Sequence, residues 1–93
     1  MAKERGKGKY GRPRYNQAAK IIARFGGESA LAQALGVSRT RPYVWQYQHP
    51  YGSDGLIPVK SIAAVERAAR LQGVLLTAND WAPERIEYDE VAQ

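Results

Sequence analysis

Ser38, Arg39, Thr40, Arg41, Tyr43, Gln46 and Tyr47 fall within one stretch, "SRTRPYVWQY". None of these side chains is a strong metal ligand or a self-activated nucleophile. Together they offer cations, hydroxyls and one amide, which is the chemistry of recognition rather than of bond making. A guanidinium can grip guanine O6 and N7 with two hydrogen bonds, and a glutamine amide can do the same for adenine. Hydroxyls of Ser38, Tyr43 and Tyr47 suit phosphate oxygens, which fix register without reading sequence. The competing reading packs the two tyrosines on the domain and leaves the arginines to solvent.

A second group sits near the start of the chain. Lys7, Lys9, Arg12 and Arg14 lie in "KGKYGRPR", among glycines and a proline. Such a basic segment attracts polyanions, because each neutralised phosphate releases a condensed counterion. "GRP" also resembles the centre of an AT-hook, without the arginine that usually precedes it. Narrow A·T-rich minor grooves concentrate negative potential, so Arg12 and Arg14 are candidates to enter one. The alternatives are loose contact with phosphates or a merely solubilising tail.

Charge sharpens this contrast. The net charge is +5, but residues 1–20 carry +6, residues 21–83 carry +2 and residues 84–93 carry −3. There is no cysteine and a single histidine, His49. That excludes disulfides and leaves no zinc ligand set. No Ser/His/Asp set and no phosphate-binding glycine loop is recognisable, so no enzymatic activity and no cofactor are expected. An apolar run of membrane-spanning length is missing, and no apolar stretch follows the basic start as in a secretory signal. The expected location is the cytoplasm, at the nucleoid when bound to DNA.

These groups need a scaffold, and 93 residues suffice for one small domain with tails. Residues 1–15 show no apolar periodicity and read as a disordered basic arm. Residues 16–83 read as the folded domain and 84–93 as an acidic tail. The first helix is expected over 16–25, with Asn16 as cap, a stripe of Ala18, Ile21, Ile22 and Phe25, and Gly26–Gly27 as its stop. A short second helix spans 28–35, with Leu31, Ala34 and Leu35 on one face and Gly36 as its end. Glu28 suits its positive N-terminal pole. A third covers roughly 41–48, with Trp45 inside. "HPYGSDGLI" (49–57) is a loop or a small hairpin. His49 and Tyr51 are its candidates for touching flanking backbone, although a structural or subunit-pairing role is preferred. A fourth helix is expected over 58–72, starting at Pro58 and burying Ile62, Val65 and Ala69. In "TANDWAP" (77–83), Thr77 and Asp80 have the spacing of a capping box, and Trp81 is expected to close the core. The class is all-α, a small four- to five-helix domain.

Pro42 complicates the third helix. A start at Ser38 puts the proline where its missing N–H and its ring both damage the first full turn. A late start, with Thr40 or Arg41 as cap, avoids this. Arg39, Thr40 and Arg41 would then form an extended turn at the positive end of the helix.

The order of these elements carries a resemblance. "FGGESALAQALGVS…VW", then "IPVKSIAAVERAA", then "LTANDWAP" resembles the Cro/YdaS-like phage and prophage regulators over roughly residues 18–83. Gly36 would supply the left-handed turn, Val37 the corner plug and small Ala32 the close approach. The resemblance implies a lambda repressor-like domain with a helix-turn-helix, a transcription regulator whose partner is double-stranded DNA. By position it implies that Ser38, Arg39, Thr40, Arg41, Tyr43, Gln46 and Tyr47 face the major groove. It also implies a homodimer on a two-fold site. Two features differ from the pattern: Pro42 replaces an apolar residue, and eleven residues separate Trp45 from Ile57. Alternatives on the same fold are an antitoxin that represses its own operon while holding a toxin, and a protein-interaction adaptor.

Overall fold

The computed structural model describes residues 13–86 and contains five helices in order: α1 (Gln17–Phe25), α2 (Glu28–Leu35), α3 (Thr40–Trp45), α4 (Val59–Gln72) and α5 (Ala78–Trp81). Among the described residues there is no strand; an isolated antiparallel bridge joins Tyr15 to Arg85. The domain is a small, compact, all-helical body, as the periodicities indicate. No helix of the described residues is long and apolar enough to cross a membrane.

The stripe of α1 is buried as its spacing requires. Ala18 and Ile21 are fully enclosed and Ile22 and Phe25 nearly so. They meet Leu31 from α2, Trp45 from α3, Ile57 from the long loop, and Val65, Ala68 and Ala69 from α4. Completely burying a Leu, Ile or Val side chain contributes about 1.5–3 kcal/mol. Ile21, Leu31 and Val65 therefore anchor the domain. α1 packs on α2, α3 and α5, and α2 packs on α3 and α4. Ile62 and Trp81 are partly buried at the edge of this core. Trp81 thus flanks the core rather than sealing it.

Several local rules hold in detail. α1, α2 and α4 each end on a left-handed glycine: Gly26, Gly36 and Gly73. The capping box on α5 is complete. The Thr77 hydroxyl accepts the Asp80 N–H at 3.3 Å, and the Asp80 carboxylate accepts the Thr77 N–H at 2.9 Å. Pro58, expected inside the first turn of α4, is instead its cap residue at ψ 140°. Its fixed φ suits either position.

Asn16 differs from expectation. It precedes α1 but makes no side-chain cap. Its amide instead donates to the Glu84 carboxylate at 3.0 Å and accepts the Glu84 N–H at 3.2 Å. The Asn16 N–H donates to the Glu84 carbonyl, and the Ile86 N–H donates to the Arg14 carbonyl at 2.8 Å. Residues 13–16 and 84–86 therefore form a short antiparallel pairing on the body. Residues 13–15, read in the sequence as the end of a disordered arm, belong to the fold. So do residues 84–86 of the expected tail.

The loop 49–57 is a chain of turns, not a hairpin. Asp54 is buried at a positive φ of 60°. Its carboxylate accepts the His49 N–H at 2.8 Å, and its own N–H donates to the Tyr47 carbonyl at 2.7 Å. The Gly55 N–H donates to the Trp45 carbonyl, and the Gly55 carbonyl accepts the Ala18 N–H, both at 2.8 Å. The loop thereby staples the end of α3 to the start of α1. Gln17 completes the staple. Its side chain donates to the Trp81 carbonyl at 2.7 Å and accepts the Ile57 N–H at 2.8 Å.

Candidate nucleic-acid interface

α3 starts earlier than the proline suggests. Arg39 has helical angles and Thr40 and Arg41 lie within the helix, so the expected extended turn is not formed. The Ser38 carbonyl, which a proline N–H cannot satisfy, takes the Arg41 N–H at 3.0 Å instead. With Arg39 as cap, Pro42 is the third helical residue, where the backbone N–H is normally unpaired. The preference of a pre-proline residue for extended angles is overridden by this tight turn. The helix also ends at Trp45, three residues before the expected end, because the chain turns there into the loop.

Pro42 has a second role. It is among the fully buried side chains, and Trp45, one turn later, is 5% exposed. These two hold the inner face of α3. Position 42 therefore does the work of an apolar core residue, and the outer side is left to Tyr43 on the helix, with the cap residue Arg39 four before it and Tyr47, past the helix end, four after it. All three are exposed, as are Ser38, Thr40 and Arg41.

The outer face has defined geometry. The Tyr43 and Tyr47 hydroxyls share a hydrogen bond, and their ring centroids are 5.1 Å apart. Tyr51, from the loop, packs edge-on against Tyr47 at 5.3 Å. Such tilted contacts suit the ring quadrupoles. The shared hydrogen bond is the main reason the Tyr47 phenol lies above its ordinary 10.0. Arg39 lines a cleft with Glu28, Thr40, Tyr43 and Tyr51. Arg41 lines another with Val44, Tyr51 and Lys60. Tyr51 thus borders both arginines. Neither arginine makes an ion pair with a described residue.

Gln46 sits apart from the other six. It is half-buried, and its amide donates to the Glu28 carboxylate at 2.9 Å, with a longer contact of 3.4 Å to the Tyr43 carbonyl. The amide nitrogen is thus already committed within the domain. Of the basic segment, only Arg14 is described; Lys7, Lys9 and Arg12 lie outside the described residues. Arg14 lines an open cleft of about 430 Å³ with Glu28, Tyr43, Gln46, Tyr47 and Gln48. The end of the basic segment and the outer face of α3 therefore meet at one place.

Sequence reading left out Lys60 and the clamp by Glu28, and named Tyr51 only as a loop candidate for flanking backbone. Tyr51 continues the four-residue spacing of Tyr43 and Tyr47; both Tyr47 and Tyr51 lie past the end of α3, and Tyr51 reaches Tyr47 because the loop folds back. Lys60 is placed beside Arg41 by the start of α4. Glu28 was legible only as a dipole partner, not as the clamp on Gln46. Comparison with protein-family models, with curated proteins and with solved structures finds no match to this chain.

Proposed function

We propose that this chain is a sequence-specific, double-stranded-DNA-binding transcription regulator that acts as a repressor by occupying its site. In this reading α2, the turn at Gly36 and α3 act as a helix-turn-helix. Ser38, Arg39, Thr40 and Arg41 lead α3 into the major groove, with Tyr43 and Tyr47 on phosphates. Lys7, Lys9, Arg12 and Arg14 follow the minor groove or the adjacent backbone. The resemblance to Cro/YdaS-like regulators supports the reading. The observation that carries it is the division of α3 and its flanks: Pro42 and Trp45 inward, Arg39, Arg41, Tyr43 and, just past the helix, Tyr47 outward, with no ion pair to a described residue on either arginine.

A homodimer on a two-fold site belongs to the same proposal, since one small domain makes few base contacts. Leu71 and Leu75 are 81% and 77% exposed, and Leu75 borders a cleft with Val74, Leu76, Trp81, Glu66 and Arg70. An exposed apolar patch carrying both an acid and a base suits pairing with a second copy. The working location is the cytoplasm, at the nucleoid.

Selection of duplexes from a random pool, followed by base-resolved footprinting, tests the proposal. The expected result is a defined site with two inverted half-sites about one helical turn apart. Failure to enrich any sequence over the pool contradicts it.

A further inference from the structure

Gln46 is held in an unusual state for a groove-reading amide. A free glutamine offers a carbonyl acceptor and two N–H donors, and it reads adenine by using one of each. Here the Nε2 group faces the Glu28 carboxylate at 2.9 Å and the Tyr43 carbonyl at 3.4 Å. Both neighbours are acceptors. Turning the amide round would set its oxygen against a carboxylate and a carbonyl, so the orientation is fixed by chemistry. The remaining group, Oε1, accepts no hydrogen bond from a described residue and is not buried. Gln46 lines the cleft that Tyr43 and Tyr47 wall and Arg14 borders.

The geometry points to Glu28 as a positioning residue that turns Gln46 into an acceptor-only reader of an exocyclic amino group, adenine N6 or cytosine N4. This rests on the proposal that α3 reads duplex DNA. In the major groove adenine and cytosine present amino donors, whereas guanine presents only N7 and O6 and thymine only O4 and a methyl group. An acceptor cannot pair with either of the latter. The second oxygen of Glu28 adds a further acceptor beside it. Arg14 supplies the opposite charge, so a phosphate-lined groove can approach despite the carboxylate. The clamp therefore excludes the two-bond adenine contact of an unrestrained glutamine. Adenine and cytosine are accepted nearly alike at one position.

The test uses the full chain and a duplex chosen by selection. Wild type, Gln46→Met and Glu28→Ala are each selected on random duplexes, and their folding is checked by thermal unfolding. For wild type, one position accepts adenine and cytosine within about threefold of each other and disfavours guanine and thymine by about threefold to tenfold, one neutral hydrogen bond. Gln46→Met loses that preference while neighbouring positions keep theirs. Replacing the selected adenine by purine, which lacks the amino group, weakens wild type and leaves Gln46→Met unchanged. Glu28→Ala frees Nε2 for adenine N7, and the position shifts toward adenine over cytosine. Selected sites in which Gln46→Met alters no position, or in which the altered position favours guanine or thymine, overturn the inference while DNA reading stands. Failure of every variant and of wild type to select any duplex overturns the parent proposal and the inference with it.

Discussion

The backbone of Tyr15 lies directly against Gly55. A methyl group on Gly55 would stand 1.8 Å from the Tyr15 carbonyl oxygen, and Gly55 has a positive φ of 85°. The neighbouring Tyr15 N–H donates to the Asp54 carbonyl at 2.8 Å. This contact fixes where the chain that begins in the basic segment joins the body, and it does so beside the loop that follows α3. Gly55→Ala must therefore move one backbone away from the other as well as strain its own. The expected cost is about 2–3 kcal/mol, read from denaturant midpoints. An unchanged midpoint would mean that the contact is easily relieved.

Gln17 is a second joint. It bonds Trp81 and Ile57 at once, from a side chain only 9% exposed. Replacing it by leucine keeps the volume and orphans the part-buried Trp81 carbonyl and the buried Ile57 N–H. The expected loss is about 2–4 kcal/mol, on the scale of the penalty for each unpaired group. Ionised, Gln17→Glu retains the acceptor for Ile57 but loses the donor to Trp81; protonated, its O–H can replace that donor, so its loss should be smaller near about pH 4 than at about pH 7.

Acid should weaken the closure of α5 on α1. Asp80 is held below its ordinary 3.8, chiefly by the Thr77 backbone N–H and then by Arg24, whose Nε is 3.1 Å away. Glu84 is held below its ordinary 4.5, chiefly by the Asn16 amide and then by Lys20. A carboxyl with a depressed folded pKa stabilises the fold fully above its unfolded value. That contribution is lost as pH falls through the folded value. The thermal midpoint should thus be flat from pH 7 to about 5 and fall below about 4. Asp80→Asn should be less stable at neutral pH and show a shallower acid fall. Parallel pH curves for the two proteins would remove Asp80 from this account.

How much of this could be read from residues alone follows the range of each interaction. Glycine stops after α1, α2 and α4 and the Thr77–Asp80 box are local, so composition and spacing reveal them. The burial of Trp45 and the stripe of α1 follow from periodicity. Asn16 misled because a cap-forming residue has a better partner in Glu84, far along the chain. Gln17 looked like an ordinary polar helix residue, yet it is buried because two distant backbone groups need it. Pro42 was correctly seen as a constraint on α3. Its solution, a tight turn through Ser38 and Arg41, depends on the ring being wanted in the core. For the surface around α3, the exposed Ser38, Arg39, Thr40, Arg41, Tyr43 and Tyr47 were legible and Tyr51 was legible as a loop candidate, whereas its packing on Tyr47, the place of Lys60 and the clamp on Gln46 arise from tertiary folding.

Arg39 and Arg41 allow the proposed recognition role to be tested apart from stability. Both are exposed and neither is tied to a described acid. Substituting either by alanine should leave the thermal midpoint within about 2–4 °C of wild type, since surface changes usually cost under about 0.5 kcal/mol. On a selected duplex each should weaken binding by about tenfold to a hundredfold if it grips a guanine. A large loss of stability in Arg39→Ala would show that the residue serves the fold instead.

The most direct test of the central claim is the salt dependence of binding to a selected duplex, measured for wild type and for the Arg39→Ala/Arg41→Ala double variant. If the outer face of α3 and the basic segment together neutralise about four phosphates, affinity falls by about a hundredfold between 50 and 200 mM salt. The double variant should then bind more weakly with the same or a shallower slope. A change of less than about twofold over that range in wild type, or an unaltered affinity in the double variant, would contradict it.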